Sequence, residues 1–237
     1  MIPKVLNANY IPEVWEQGLD YILKNGVLLS GERGKVLTVF NLVCYIKDPL
    51  NKMVHFKSPY DKTFLDQYKN QLIEGVVLPE NQKFEYNYHD RIFNHDNNIN
   101  QIDYCIKKLK EDKNTRRAVF NTGIPEIDTL KENIPCLVEG GFYFDGYNLN
   151  LDCKMRSWDF YGASPANLYA FAYLLKCVSD KVELIPGSLN VTGRIPHIYK
   201  YDINEAYKVV NNINKVSLKM RLLNIGKSPI RPTWKLP

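Results

Sequence analysis

The sequence predicts an α+β fold. Two β-rich runs flanking an Asp-Gly pair read as a hairpin, the second with alternating apolar and polar residues. Other stretches place apolar residues at helical spacing, and strands and helices follow one another without a βαβ rhythm. Of the 237 residues, 45% are hydrophobic and 24% charged, enough for a sizeable core with no disulfide or metal staple. One domain spanning 1–237 is the simplest organisation.

Residues 12–24 read as a helix, with Trp15, Leu19 and Ile22 on one face. Lys35 to Tyr45 is β-rich. Asp61 is placed to cap a helix carrying Phe64, Leu65, Tyr68, Leu72 and Ile73. The polar run His89 to Asn100 reads as an exposed loop, and Ile102, Cys105, Ile106 and Leu109 mark another amphipathic helix. From Arg117 the pattern turns to strands. Asp145-Gly146 is a hairpin signal between two β-rich runs, since a tight turn needs positive φ. In the second run Leu149, Leu151, Cys153 and Met155 alternate with Asn150, Asp152, Lys154 and Arg156, which predicts one buried and one polar face. Ser164-Pro165 reads as an N-cap followed by proline, opening a helix to about Val178 with Asn167 in its first turn. Ser188 to Ile195 follows as a strand and Tyr201 to Asn211 as a helix.

Five cysteines, widely spaced and with no C-x-x-C pair, argue against a zinc site or a disulfide framework and for a reducing compartment. No metal is expected. The N-terminus lacks an apolar signal core and no run approaches a membrane span, so the expectation is a cytoplasmic protein with no membrane partner. Thirty-one Lys and Arg against 26 Asp and Glu leave a modest, dispersed positive charge that favours anionic ligands. Composition alone leaves a phosphate-bearing small molecule and a polynucleotide both open.

The chemistry-bearing residues each have a plain structural reading when taken singly. Cys136 after Ile-Pro suits a small buried hydrophobe; Arg116-Arg117 suits a solvated pair at a strand start. Arg156-Ser157 running to Asp159 suits a strand-end salt bridge, and His197 before Tyr199 suits a structural histidine. Their order is more specific. The segments NTRRAVF (114–120), IPCLVEGGFYF (134–144), RSWDFYGASPANLYAFAYLL (156–175) and GRIPHIYKYD (193–202) together resemble the thymidylate synthase family. They hold a double arginine, a Pro-Cys, an Arg-Ser-x-Asp leading to a Pro-x-Asn, and a His-x-Tyr, at the family's spacing.

The resemblance implies one-carbon transfer to C5 of a pyrimidine nucleoside monophosphate, most simply dUMP to dTMP, on a thymidylate synthase-like fold: a large mixed β-sheet packed by helices, pairing through its sheet face as a homodimer. Pyrimidine C5 becomes nucleophilic only after something adds at C6, and a thiolate at Cys136 would do so. Since the thiolate is the reactive form, positive charge is expected nearby. Arg116, Arg117 and Arg156, with the Ser157 hydroxyl, would hold the phosphate through forked hydrogen bonds. In the family the double arginine reaches in from the partner subunit. Asn167 would read the base, because one amide donor and one acceptor match uracil O4 and N3–H; an aspartate there is expected of relatives acting on cytosine nucleotides. Asp159 fits the position that orients the ring and organises water, His197 and Tyr199 the pair that binds the sugar hydroxyl, and Tyr88 a proton-relay tyrosine.

The implied donor is 5,10-methylenetetrahydrofolate or a related methylene-pterin, and no nucleic acid is expected as partner. Some positions depart from the family. Leu137 stands where many members have histidine, Gly140 or Gly141 where a glutamine commonly follows, and Arg194-Ile195-Pro196 before His197 where many have Gly-Asp. The helix supplying the general-acid glutamate has no clear counterpart; Asp61, Asp66, Glu74 and Glu85 are contenders. These departures lie on the donor side and leave two alternatives open: a different reduced pterin, as in short archaeal-type members, or a hydroxymethyl product from dUMP, dCMP or CMP. A non-catalytic nucleotide- or RNA-binding homologue is the reading from another class. The tail SPIRPTWKLP, with Trp234, is expected either to lie over the site as a lid or to be a plain surface tail.

Overall fold

The computed structural model describes residues 2–31, 33–76, 87–95 and 99–211. The chain opens with β1 (Lys4–Ala8) and α1 (Ile11–Asn25), turns through the hairpin of β2 (Val27–Gly31) and β3 (Gly34–Thr38), and enters β4 (Leu42–Ile46). Next come α2 (Lys62–Glu74), α3 (Tyr88–Phe93), α4 (Gln101–Glu111), β5 (Val119–Asn121) and the short α5 (Pro125–Asp128). The second hairpin, β6 (Leu137–Phe144) and β7 (Leu149–Met155), leads through β8 (Trp158–Asp159) to α6 (Ser164–Val182). β9 (Pro186–Gly193), β10 (Pro196–Tyr199), a 3₁₀ turn at Lys200–Asp202 and α7 (Ile203–Asn211) complete the described chain.

Six strands form a large mixed sheet in the order β1-β4-β9-β7-β6-β5, and four form a smaller one in the order β2-β3-β10-β8. The α+β class and the mixed sheet are therefore as the sequence predicts. One detail differs: β7 and β9 are parallel neighbours on either side of α6, which makes a βαβ unit. A parallel partner requires the chain to travel back along the sheet, and the 19-residue α6 makes that return. The single β-rich stretch 35–45 is two strands in different sheets, separated at Asn41, whose φ of 56° turns the chain.

Local chemistry fixes the helix ends. The Asp61 carboxylate accepts from the Phe64 amide at 2.8 Å and caps α2 as predicted. Asn100 caps α4 through the amides of Ile102 and Asp103, both at 3.0 Å. The expected loop 89–100 is partly helical, because the Asn87 side chain caps α3 at the His89 amide (2.9 Å) and Ile92 is buried beneath it. Ser164 is not the cap of α6. Ala163 occupies that position, and the Ser164 hydroxyl instead donates to the Phe160 carbonyl. At the β6–β7 turn Gly146 adopts φ of 102°, the conformation that the Asp-Gly pair supplies.

In the large sheet Leu6, Cys44, Val191, Cys153, Phe142 and Phe120 face the helices and are buried. Each such fully buried Leu or Phe contributes roughly 1.5–3 kcal/mol. Trp15, Leu19 and Ile22 of α1 join this core on the face predicted, and the Trp15 indole N–H donates to the Phe160 carbonyl at 2.8 Å. The opposite face presents Tyr45, Asn190, Asp152, Gly141 and Val119 as one row across the strands. Val5, Val119 and Tyr143 on that face are exposed. Asn150, predicted on the polar face, is buried there: its side chain accepts from the Ser188 amide (2.7 Å) and donates to Asp145 (3.0 Å).

Candidate active site

Cys136 stands immediately before β6, at the end of the sheet where β7 and β9 finish. The hairpin register pairs Leu137 with Met155, so the chain leaving β7 passes beside Cys136, and the Arg156 amide donates to the Cys136 carbonyl at 2.8 Å. The parallel β9 ends at the same level, where the Arg194 amide donates to the Met155 carbonyl at 2.9 Å. Three connections thus converge: 133–136, 156–162 and 194–199. β8 and β10, which extend from two of them, pair in parallel with Asp159 opposite His197.

Of the five cysteines, Cys44, Cys105 and Cys153 are buried in the core, where loss of solvation pushes their thiols up, Cys105 to about 12. Cys177 lies exposed on α6, remote in the chain from the strand ends, and burial of its sulfur raises it too. Cys136 is half-buried within the cluster, and its field reaches the Tyr199 hydroxyl. Arg156 braces the loop before it, donating from Nε to the Pro135 carbonyl (2.9 Å) and from Nη2 to the Ile134 carbonyl (2.6 Å). Ser157 follows, half-buried.

Asp159 is half-buried, and one of its carboxylate oxygens accepts from the Gly162 amide at 2.9 Å, which holds the turn into α6. His197 is 8% exposed, and burial lowers its basicity, opposed by its bond to the Ile195 carbonyl. A carbonyl can only accept, so Nδ1 carries the proton in that 3.2 Å contact, and Nε2 of the neutral ring is the acceptor. Tyr199 packs edge-on against His197 at 5.0 Å. Burial raises its phenol pKa, and the Asp159 carboxylate adds to that while Arg33 opposes it. Tyr88, on α3, accepts from the Leu137 amide at 3.0 Å.

Asn167 is 4% exposed in the first turn of α6, with its amide engaged at both ends. Its Oδ1 accepts from the Trp158 indole at 3.2 Å and its Nδ2 donates to the Tyr68 hydroxyl at 2.7 Å. The backbone N–H of Asn167 is spent inside the helix on the Ala163 carbonyl, so the side chain alone remains for recognition.

Arg116 and Arg117 do not join this cluster in their own chain. They are exposed before β5, whose pairing sets Ala118 beside Phe142. Phe142 lies six residue steps along the strand from Cys136, roughly 20 Å at about 3.4 Å per residue. A shallow cleft of about 190 Å³ lined by Val119, Asn121, Glu139, Gly141 and Asp152 likewise lies on the open sheet face, away from the strand ends.

Three residues close to the candidates were given no role from the sequence. Arg33, in the β2–β3 turn, contacts Asn133 just before Cys136 and acts electrostatically on Tyr199. Tyr68 had the reading of an apolar helix position, yet its hydroxyl meets Asn167. Trp158 stands between the Arg156-Ser157 pair and Asp159, and its indole N–H meets Asn167. Among the contenders for a carboxylate acid, Asp61 is a helix cap and Asp66 is bound to Lys62 (2.6 Å) and Tyr169 (2.7 Å). Glu74 ends α2, and Glu85 and Trp234 lie outside the described residues. Tyr68 is the α2 group at the amide.

A half-buried cysteine with an arginine on its own loop at converging strand ends, and a carboxylate, an imidazole, a phenol and an amide on the adjoining segments, is the layout of an enzyme site for a small polar substrate. Comparison with known proteins gives the class its chemistry. The family model for thymidylate synthase matches residues 54–231, well over half of the chain. A relative from Methanococcoides burtonii is 37% identical over 213 residues, covering 90% of this chain and 97% of its own. Relatives from Methanosarcina barkeri (34%, 90% and 97%) and Methanopyrus kandleri (30%, 85% and 95%) match similarly. All three carry a provisional designation as thymidylate synthases. The chain belongs to the thymidylate synthase family and is a one-carbon transferase of the pyrimidine methyl- and hydroxymethyltransferase kind. Among the described residues no helix is long and apolar enough to cross a membrane.

Proposed function

We propose that this enzyme adds the Cys136 thiolate to C6 of a uracil nucleotide and transfers a one-carbon unit to C5, converting dUMP to dTMP. The observation that carries this reading is the position of Cys136, half-buried where β6, β7 and β9 meet, with Arg156, Asp159 and Tyr199 around it. Addition at C6 moves the ring's electron pair toward C5 and O4, so C5 can attack an electrophilic carbon. Asn167 keeps one donor and one acceptor capacity for the O4 and N3–H edge of the base. His197 Nε2 accepts from the sugar hydroxyl and Tyr199 donates to it. Ser157, Arg156 and Arg33 face the phosphate from the same chain. Tyr88 and Asp159 serve proton transfer and ring orientation.

The donor would be a reduced methylene-pterin, 5,10-methylenetetrahydrofolate or an analogue, supplying the carbon at the formaldehyde oxidation level and, from its reduced ring, the hydride that brings that carbon to a methyl group. A pterin offers adjacent N–H donors on its aminopyrimidine edge, and the half-buried Asp159 carboxylate fits such an edge. The placement of Arg116 and Arg117 just before Ala118, which pairs beside Phe142 at about 20 Å along β6 from Cys136, supports a homodimer in which they serve the partner's phosphate. The open face of the large sheet, with exposed Val5, Val119 and Tyr143, is the surface available for that pairing.

The test is incubation with 5-fluoro-dUMP and methylenetetrahydrofolate, followed by mass spectrometry. A covalent ternary adduct at Cys136, absent in Cys136→Ser, is the expected outcome; an adduct that survives this substitution overturns the assignment. Product analysis with dUMP, dCMP and CMP then reads base preference and distinguishes methyl from hydroxymethyl transfer.

A further inference from the structure

We propose that Trp158 fixes the Asn167 amide in one orientation and thereby sets which pyrimidine the site accepts. The inference rests on the reading of Asn167 as the residue that meets the base.

An asparagine is an ambiguous reader. Uracil presents an acceptor at O4 and a donor at N3; cytosine presents a donor at N4 and an acceptor at N3. Rotating the amide by half a turn exchanges Oδ1 and Nδ2 and matches the other base. An asparagine free to flip therefore discriminates weakly, and something must hold it.

The two groups bound to Asn167 differ in what they permit. Tyr68 supplies a hydroxyl, which can accept from Nδ2 or donate to Oδ1, so it follows the amide either way. Trp158 supplies an indole N–H, which donates only. A flipped Asn167 would turn Nδ2 toward that N–H, setting donor against donor with both groups buried: Trp158 is 1% and Asn167 4% exposed. The indole is itself held. Its backbone amide donates to the Ile195 carbonyl at 3.1 Å, its ring meets Phe160 edge-on at 4.8 Å, and a Cβ at Gly193 would lie 3.0 Å from the ring. With one lone pair given to Trp158 and one N–H to Tyr68, the amide keeps one acceptor and one donor in a fixed order. Trp158 is a positioning residue, and the selectivity comes from its N–H rather than its bulk.

The test compares kcat/KM for dUMP and dCMP in the full-length dimer, together with the 5-fluoro-dUMP adduct. In Trp158→Phe the ratio is expected to fall about tenfold, the scale of one hydrogen bond between neutral groups in a buried site, with dCMP gaining relative to dUMP. Since phenylalanine also leaves space, a second variant carries 3-benzothienylalanine at position 158, introduced by amber suppression; it keeps the shape and replaces N–H by sulfur. The same fall is expected there, while Tyr68→Phe keeps the wild-type ratio. An unchanged ratio in a folded benzothienylalanine variant, or an equal fall in Tyr68→Phe, overturns the proposal. Failure of the wild type to form any adduct at Cys136 would instead remove the functional reading beneath it.

Discussion

The hydroxyl of Tyr88 accepts the amide hydrogen of Leu137 at 3.0 Å, joining α3 to the residue that follows Cys136. Leu137 is fully buried, so in Tyr88→Phe its N–H loses a partner that water does not readily replace. The expected stability loss is about 1–3 kcal/mol, read by urea denaturation. If the same hydroxyl also relays the C5 proton, turnover falls further while the 5-fluoro-dUMP adduct still forms, because that ternary adduct is complete before any proton leaves C5. Turnover equal to wild type in the folded variant would leave Tyr88 a purely structural role.

Arg116 and Arg117 supply the next prediction. If they complete the partner's site, Cys136→Ser and the double variant Arg116→Ala/Arg117→Ala are each inactive alone, yet a mixture of the two regains activity. Equal mixing puts half the dimers in the mixed form with one intact site of two, about a quarter of wild-type activity under two-fold symmetry. Subunits exchanged through mild denaturant and assayed for dTMP give the number. No recovery despite proven exchange would place the arginines in their own chain's site.

Gly140 faces the core, where a Cβ would lie 2.2 Å from the Phe120 ring. The ring thus fills space that a longer side chain at this position would need. Gly140→Ala is expected to cost about 1–3 kcal/mol through overpacking, and the same change in a Phe120→Leu background less, because the ring edge is gone. Thermal melts of the four proteins test the coupling; strictly additive losses would contradict it.

How much was legible follows from how local each signal is. The cap at Asp61 and the turn at Gly146 were readable because each signal lies within a few residues of the structure it makes. The alternation of Leu149 to Met155 was readable because a strand exposes its two faces in turn. Cys136, Asp159, Asn167 and His197 were picked out by motif order, and the strand ends bring their segments together. Tyr68 and Trp158 were not legible as Asn167 partners: one contact spans 99 residues and the other depends on how β8 meets α6. Arg33 was missed because a hairpin arginine resembles any solvated turn residue until its loop is seen against Asn133. The βαβ unit was missed because pairing across α6 leaves no mark in periodicity.

His197 gives a pH dependence whose sign is fixed by its burial. Loss of solvation penalises the imidazolium, so its folded pKa lies below the ordinary 6.5, opposed in part by the Ile195 carbonyl. Between the two values the unfolded chain binds more protons than the folded one, and stability rises with pH. The contribution is complete above about 6.5 and is lost as pH falls toward the lowered folded value, with a slope of at most about 1.4 kcal/mol per pH unit. His197→Gln keeps a polar side chain and removes the titration, so the acid side of its stability profile flattens. Urea melts of both proteins between pH 5 and pH 8 check this, and parallel profiles would show that His197 contributes no such linkage. The same neutrality bears on binding, since Nε2 can accept from a sugar hydroxyl only while the ring is uncharged. KM for dUMP is therefore expected to hold across that window and to rise only as pH falls to the lowered folded value in the wild type, a rise that His197→Gln, with its higher KM throughout, does not show.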